Sequence, residues 1–104
     1  MGDDLATTAV GQLESLLHIS KPAAAQAIIE EVIAAASAID ARAKELHREI
    51  DAAIDHDLGA VAALTKELRA TYVARDRVRG AMQELRATRP QLFDLIEARQ
   101  AEPR

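Results

Sequence analysis

Two apolar ladders, stepping alternately by three and four residues, follow one another through residues 29–85. The first reads Ile29, Val32, Ala36, Ile39, Ala43, Leu46, Ile50, Ala53, and the second reads Val61, Leu64, Leu68, Thr71, Arg75, Val78, Met82, Leu85. Such alternation returns to one side of an α-helix and forms a narrow seam against which a neighbouring helix can pack. A strand, with its period of two, would scatter the same residues over both faces. Two seams joined by a short acidic turn predict an all-α fold: an antiparallel, coiled-coil-like hairpin of two long helices, the alternative at 55–59 being a bend in one continuous helix.

Composition agrees with helices. The 104 residues suit a single domain, 1–104, and the chain holds one Tyr, one Phe and no Trp. Ala, Leu, Ile and Val supply nearly all the apolar content, alongside many Glu and Arg, a mixture that favours helix over sheet. Alanine contributes little buried area, and burial stabilises by about 25 cal/mol per Å². A lone hairpin of this kind has a thin core, so self-association into a dimeric four-helix bundle is expected. The absence of cysteine excludes disulfides and thiolate metal sites. No apolar run is read as approaching the ~20 residues of a membrane span, and Met-Gly-Asp-Asp is acidic where a signal peptide would be basic. A cytoplasmic location, away from membranes, is the expectation.

The net charge of -4 conceals a division between the two halves. Residues 1–57 carry eleven acids and four bases, and residues 58–104 carry six acids and nine bases, giving -7 and +3. Opposite charge on the two arms favours their pairing with one another.

Four helices are expected, at about 4–18, 21–56, 58–87 and 89–100, the first with apolar positions Ala6, Val10, Leu13 and Leu17 and with Leu16 beside them. Ser20 is the candidate N-cap of the second, with Pro22 in its first turn, where no N–H partner is lost. Asp57 is the candidate cap of the third. Thr88-Arg89-Pro90-Gln91 has the spacing of a capping box for the fourth, and the tail 101–104 is expected to fray. Folding at residue 57 sets Ile50 near Leu64, Leu46 near Leu68, Ala36 near Val78 and Ile29 near Leu85. Both short helices are expected to dock at the end far from that turn.

Chemistry-bearing patterns are few. His47, Asp51 and Asp55 share a helix face, but metal sites need ligands converging from a second element, so no metal or other cofactor is assigned. No Gly-rich phosphate loop, catalytic triad order or nucleophilic cysteine is present, and a non-enzymatic role follows. Arg75, Arg79, Arg86 and Arg89 form a basic stripe that could track phosphates. Because the chain is acidic overall and has only Tyr72 and Phe93 as aromatic residues, ion pairing with Glu30, Glu31 and Asp40 is the stronger expectation. Arg75 stands in the seam itself, where it must snorkel outward or meet an acid such as Asp40.

Leu46-His47-Arg48-Glu49-Ile50-Asp51, followed by Ile54-Asp55, looks like the opening of the helical chorismate mutases. The second Ile-Asp is one residue late and the remaining chain is too short for that active site, so the family is not assigned. Pro22, Ile28, Ile33, Ala43, Glu45 and Leu46 are arranged similarly to TraM-type antiactivators, which implies sequestration of a transcription factor. The stretch 57–68 resembles flagellar export chaperones, which implies a chaperone-like role.

These features together lead to a protein–protein interaction module, regulatory or chaperone-like, that takes an apolar helical segment of a partner into its groove. The expected partner-binding residues are Leu64, Leu68, Tyr72, Arg75 and Arg79. The alternatives are a nucleic-acid-associated protein using the arginine stripe and a structural component acting by self-association.

Overall fold

The computed structural model describes residues 2–101. The fold is all-α, with four helices and, among the described residues, no strand. They are α1 (Gly2–Leu16), α2 (Pro22–Ala53), α3 (Leu58–Thr88) and α4 (Pro90–Ala101). The fraying expected of the tail falls, beyond Ala101, outside the described residues.

Prolines set two of the three breaks. Lys21 and Arg89 stand immediately before Pro22 and Pro90, and a residue in that position is pushed out of the helical region. Lys21 is accordingly extended, at φ -90° and ψ 122°, and it rather than Ser20 is the N-cap of α2, with no side-chain capping bond. Arg89 has φ -138° and ψ 71° and ends α3. Thr88 is still inside α3, so the expected capping box does not form: a residue with helical backbone cannot also be an N-cap.

The third break lies between α2 and α3. The N–H groups of His56 and Asp57 both donate to the Ala53 carbonyl, at 3.1 and 2.9 Å. This tight turn ends α2 three residues before the expected position. The Asp57 carboxylate accepts the Ala60 N–H at 3.0 Å and caps α3, satisfying one of the donors a helix start leaves without a partner.

The two long helices meet through both ladders. Ile29, Val32, Ile39, Ala43 and Leu46 are buried on α2, and Leu68, Thr71, Val78 and Leu85 on α3. Buried Thr71 keeps its hydroxyl satisfied by donating to the Glu67 carbonyl one turn back, at 2.9 Å. α1 packs against both long helices, burying Ala6, Ala9, Leu13 and Leu16. The sequence expectation placed its contact face at Ala6, Val10, Leu13 and Leu17, but Val10 and Leu17 are only half-buried. The observed face follows the same three-four alternation as the long ladders, and two alanines on it let the helix axes approach closely.

The interior divides into two clusters. One end of the molecule, here the base, joins the buried residues of α1 to Ile29, Val32, Ile39, Ala74, Val78, Leu85 and Ile96. The other end, the stem, holds only Ala43, Leu46 and Leu68, with Ile50, Leu64 and Tyr72 half-buried around them. The molecule measures 54 × 26 × 19 Å, and its radius of gyration of 16.0 Å exceeds the roughly 13 Å of a compact 100-residue domain. That elongation follows from helices of about thirty residues rising about 1.5 Å each.

One expectation needs correction. α2 is long and apolar enough to cross a membrane by length and composition, with an 18-residue stretch of mean hydropathy 1.3. The adjacent Glu30 and Glu31 interrupt the run when charges are read one by one, which hid its average apolarity. In this fold Ile29, Val32, Ile33 and Ile39 direct that apolar surface into the base.

Candidate functional site

The five residues expected to meet a partner fall into two places. Leu64, Leu68 and Tyr72 belong to the stem, and Arg75 and Arg79 line a groove beside α4. Leu68 is buried against Ala43 and Leu46, whereas Leu64 and Tyr72 are half-buried. The Tyr72 hydroxyl shares a 2.5 Å hydrogen bond with His47 Nε2 on α2. The Arg75 guanidinium lies over the Tyr72 ring, its central carbon 4.6 Å from the ring centroid. Arg75 therefore leaves the seam by stacking rather than by pairing with Asp40. A cation over an aromatic face contributes about 0.5–1 kcal/mol at exposed sites, and a ring anchored at its hydroxyl fixes where the guanidinium can stand.

Arg42 also ties the long helices together. Its Nη2 reaches Glu67 at 2.7 Å, and its Nη1 lies 3.4 Å from Glu49 and 3.5 Å from Glu45. The hydrogen bonding of Arg42 to the Glu67 carboxylate is the main cause of an arginine pKa raised above its ordinary value; desolvation opposes it, and the charges of Glu67, Glu49 and Glu45 add to it. All these groups are substantially solvent-exposed, so the cluster aligns the arms more than it stabilises them.

The groove opens where α2, α3 and α4 meet, with a volume of about 320 Å³. Val32, Ile39, Val78, Met82 and Phe93 form its apolar lining. Asp40 of α2, Arg75 and Arg79 of α3, and Glu97 of α4 supply charged groups around it, with Gln83 and Gln100 beside them. Ile96 and Leu92 fasten α4 against the base, Phe93 is buried on the groove side, and the Arg86 guanidinium lies 5.6 Å from the Phe93 ring centroid. Arg99 of α4 forms an ion pair with Glu30 of α2.

Arg89 leaves the basic stripe altogether. Its Nη1 donates to the Leu16 carbonyl at 2.9 Å and also to the Ile19 carbonyl. A cation placed on carbonyls at the end of α1 satisfies groups the helix cannot bond internally and complements its dipole. The sequence grouped Arg89 with Arg75, Arg79 and Arg86 because helix register does not show that α3 ends at this residue, whose side chain is then free to turn toward α1.

The groove's contribution from α4 was missed by sequence reading. Phe93, Glu97 and Gln100 follow a three-four spacing that marks one helix face, but nothing local tells which surface that face meets. His47, read on the acidic face with Asp51 and Asp55, instead bonds across to Tyr72. No family model, no curated protein and no solved structure matches this chain.

Proposed function

We propose that the chain is a non-enzymatic protein-binding module, a small helical protein of regulatory or chaperone-like character. In this reading α2 and α3 act as the arms of an antiparallel hairpin, and a partner's apolar helix lies along them beside α4. The observation that carries the reading is the solvent-open groove, apolar in its lining and charged around it. Helix-in-groove recognition needs this combination: apolar anchors spaced by three or four residues enter the groove, and charged groups outside it set direction. Leu64, Tyr72, Arg75 and Arg79 extend the contact strip from stem to groove, with Leu68 supporting it from beneath.

The thin stem also favours pairing of two copies in solution, because a second hairpin would cover the half-buried Ile50, Leu64 and Tyr72. Sedimentation equilibrium at micromolar concentration is expected to return a dimer; a stable monomer would remove this part of the proposal. The binding role is tested by affinity purification from the native host after crosslinking, read by mass spectrometry. A specific protein crosslinked within residues 64–79 is expected. Tight DNA retention that weakens steeply with salt, with no protein partner, would overturn the proposal in favour of nucleic-acid binding. Recovery of only further copies of this chain would overturn it in favour of assembly.

A further inference from the structure

Four charged side chains of opposite sign surround the α2–α3–α4 groove without bonding to one another. Arg75 and Arg79 come from α3, Asp40 from α2 and Glu97 from α4. No ion pair within 4.0 Å or hydrogen bond joins the two arginines to the two carboxylates. Elsewhere on this molecule arginines of one helix do pair with acids of another, as Arg42 with Glu67 and Arg99 with Glu30. The Arg75 Nε–H is buried and has no acceptor, a cost relieved if the guanidinium turns to meet an incoming oxygen. Tyr72 holds that guanidinium beside the groove.

The charges select the ligand. Two guanidinium and two carboxylate groups sum to zero while offering both signs. A phosphate would face two carboxylates, and a simple amine would face two guanidinium groups. A zwitterion can meet both pairs through charge-assisted hydrogen bonds. The apolar lining of Ile39, Val78 and Phe93 asks for an apolar body on the same molecule. The volume, about 320 Å³, lies at the small end of the roughly 300–1,000 Å³ typical of small-molecule sites.

We propose that the groove binds a free apolar α-amino acid. Its carboxylate is held by Arg75 and Arg79, its ammonium by Asp40 and Glu97, and its side chain rests on the apolar lining. This site does not depend on the protein-binding reading. An amino acid lodged there would occupy part of the surface offered to a partner helix and so couple binding to amino-acid level.

The test is a titration of the full chain followed by ¹⁵N–¹H NMR. The probes are L-phenylalanine, L-leucine, 3-phenylpropanoate, which lacks the amine, and 2-phenylethylamine, which lacks the carboxylate. Saturable shifts confined to groove residues are expected for the amino acids, with each single-charge analogue weaker by about tenfold or more. Arg79→Gln, Asp40→Asn and Glu97→Gln alter exposed side chains; with far-UV circular dichroism confirming the fold, each is expected to weaken amino-acid binding by a similar factor. Equal affinity for 3-phenylpropanoate, unchanged affinity in all three variants, or no saturable shift with either amino acid would overturn the proposal.

Discussion

The base and the stem are built from the same two helices, yet they are stabilised differently. At the base, α1 and α4 join the long helices and close the interior, so Leu13, Leu16, Ile29, Leu85 and Ile96 are almost fully buried. In the stem only α2 and α3 are present, and the buried apolar residues are just Ala43, Leu46 and Leu68, with the polar Thr71 buried beside them. Two helices facing one another cannot surround a side chain. The stem therefore adds polar links, Arg42 to Glu67 and His47 to Tyr72, which fix alignment at little gain in stability. Beyond them Ile54 and Leu58 stand 52 % and 76 % exposed at the link. The ladder spacing is the same at both ends; what differs is how many neighbours it finds.

Substitutions across the two regions should separate them. The largest effect is expected for Leu85→Ala in the base, at about 3 kcal/mol, because enclosed sites collapse least around a deleted side chain. Leu68→Ala in the stem should cost less, about 2 kcal/mol, since the open side lets neighbours and water relax into the space. Urea unfolding measures both, and equal losses would remove the distinction. Arg42→Ala should cost only about 0.5 kcal/mol, with the loss shrinking as salt is added. The sign of its pH dependence follows from the raised pKa. The contribution is complete below the unfolded value and is lost only as pH rises through the still higher folded value. Stability curves for the native chain and Arg42→Ala should thus stay parallel through ordinary alkaline buffers. Smallest of all, Leu58→Ser should leave stability within about 0.5 kcal/mol, because its side chain is already in solvent.

The same contrast shows what could be read from the chain beforehand. Helix identity was legible, because alanine-rich segments with three-four apolar spacing have no comparable alternative to helix. Asp57 was legible as a cap, since its carboxylate acts within three residues of its own position. Ser20 and Thr88 misled because good capping residues stood next to stronger constraints, the prolines at 22 and 90. The face of α1 was there to be read in Ala6, Ala9, Leu13 and Leu16, but two alanines give a weaker signal than Val10 and Leu17. The groove was not legible as a whole. Arg75 and Arg79 could be singled out as charges at or beside a seam, whereas Phe93 and Glu97 reach them only through docking of α4, a tertiary event with no local marker. Arg75 was expected to meet Asp40 if it paired at all; it stacks on Tyr72 because that ring lies three residues away on its own helix.

Backbone amide hydrogen exchange, read residue by residue along α2 and α3, tests the unequal construction most directly. Slowest exchange is expected at 29–39 and 78–85, where α1 and α4 enclose the ladders, and exchange through local opening at 43–53 and 58–72. Uniform protection along both helices, with stem and base opening together, would contradict a thick base carrying a thin stem.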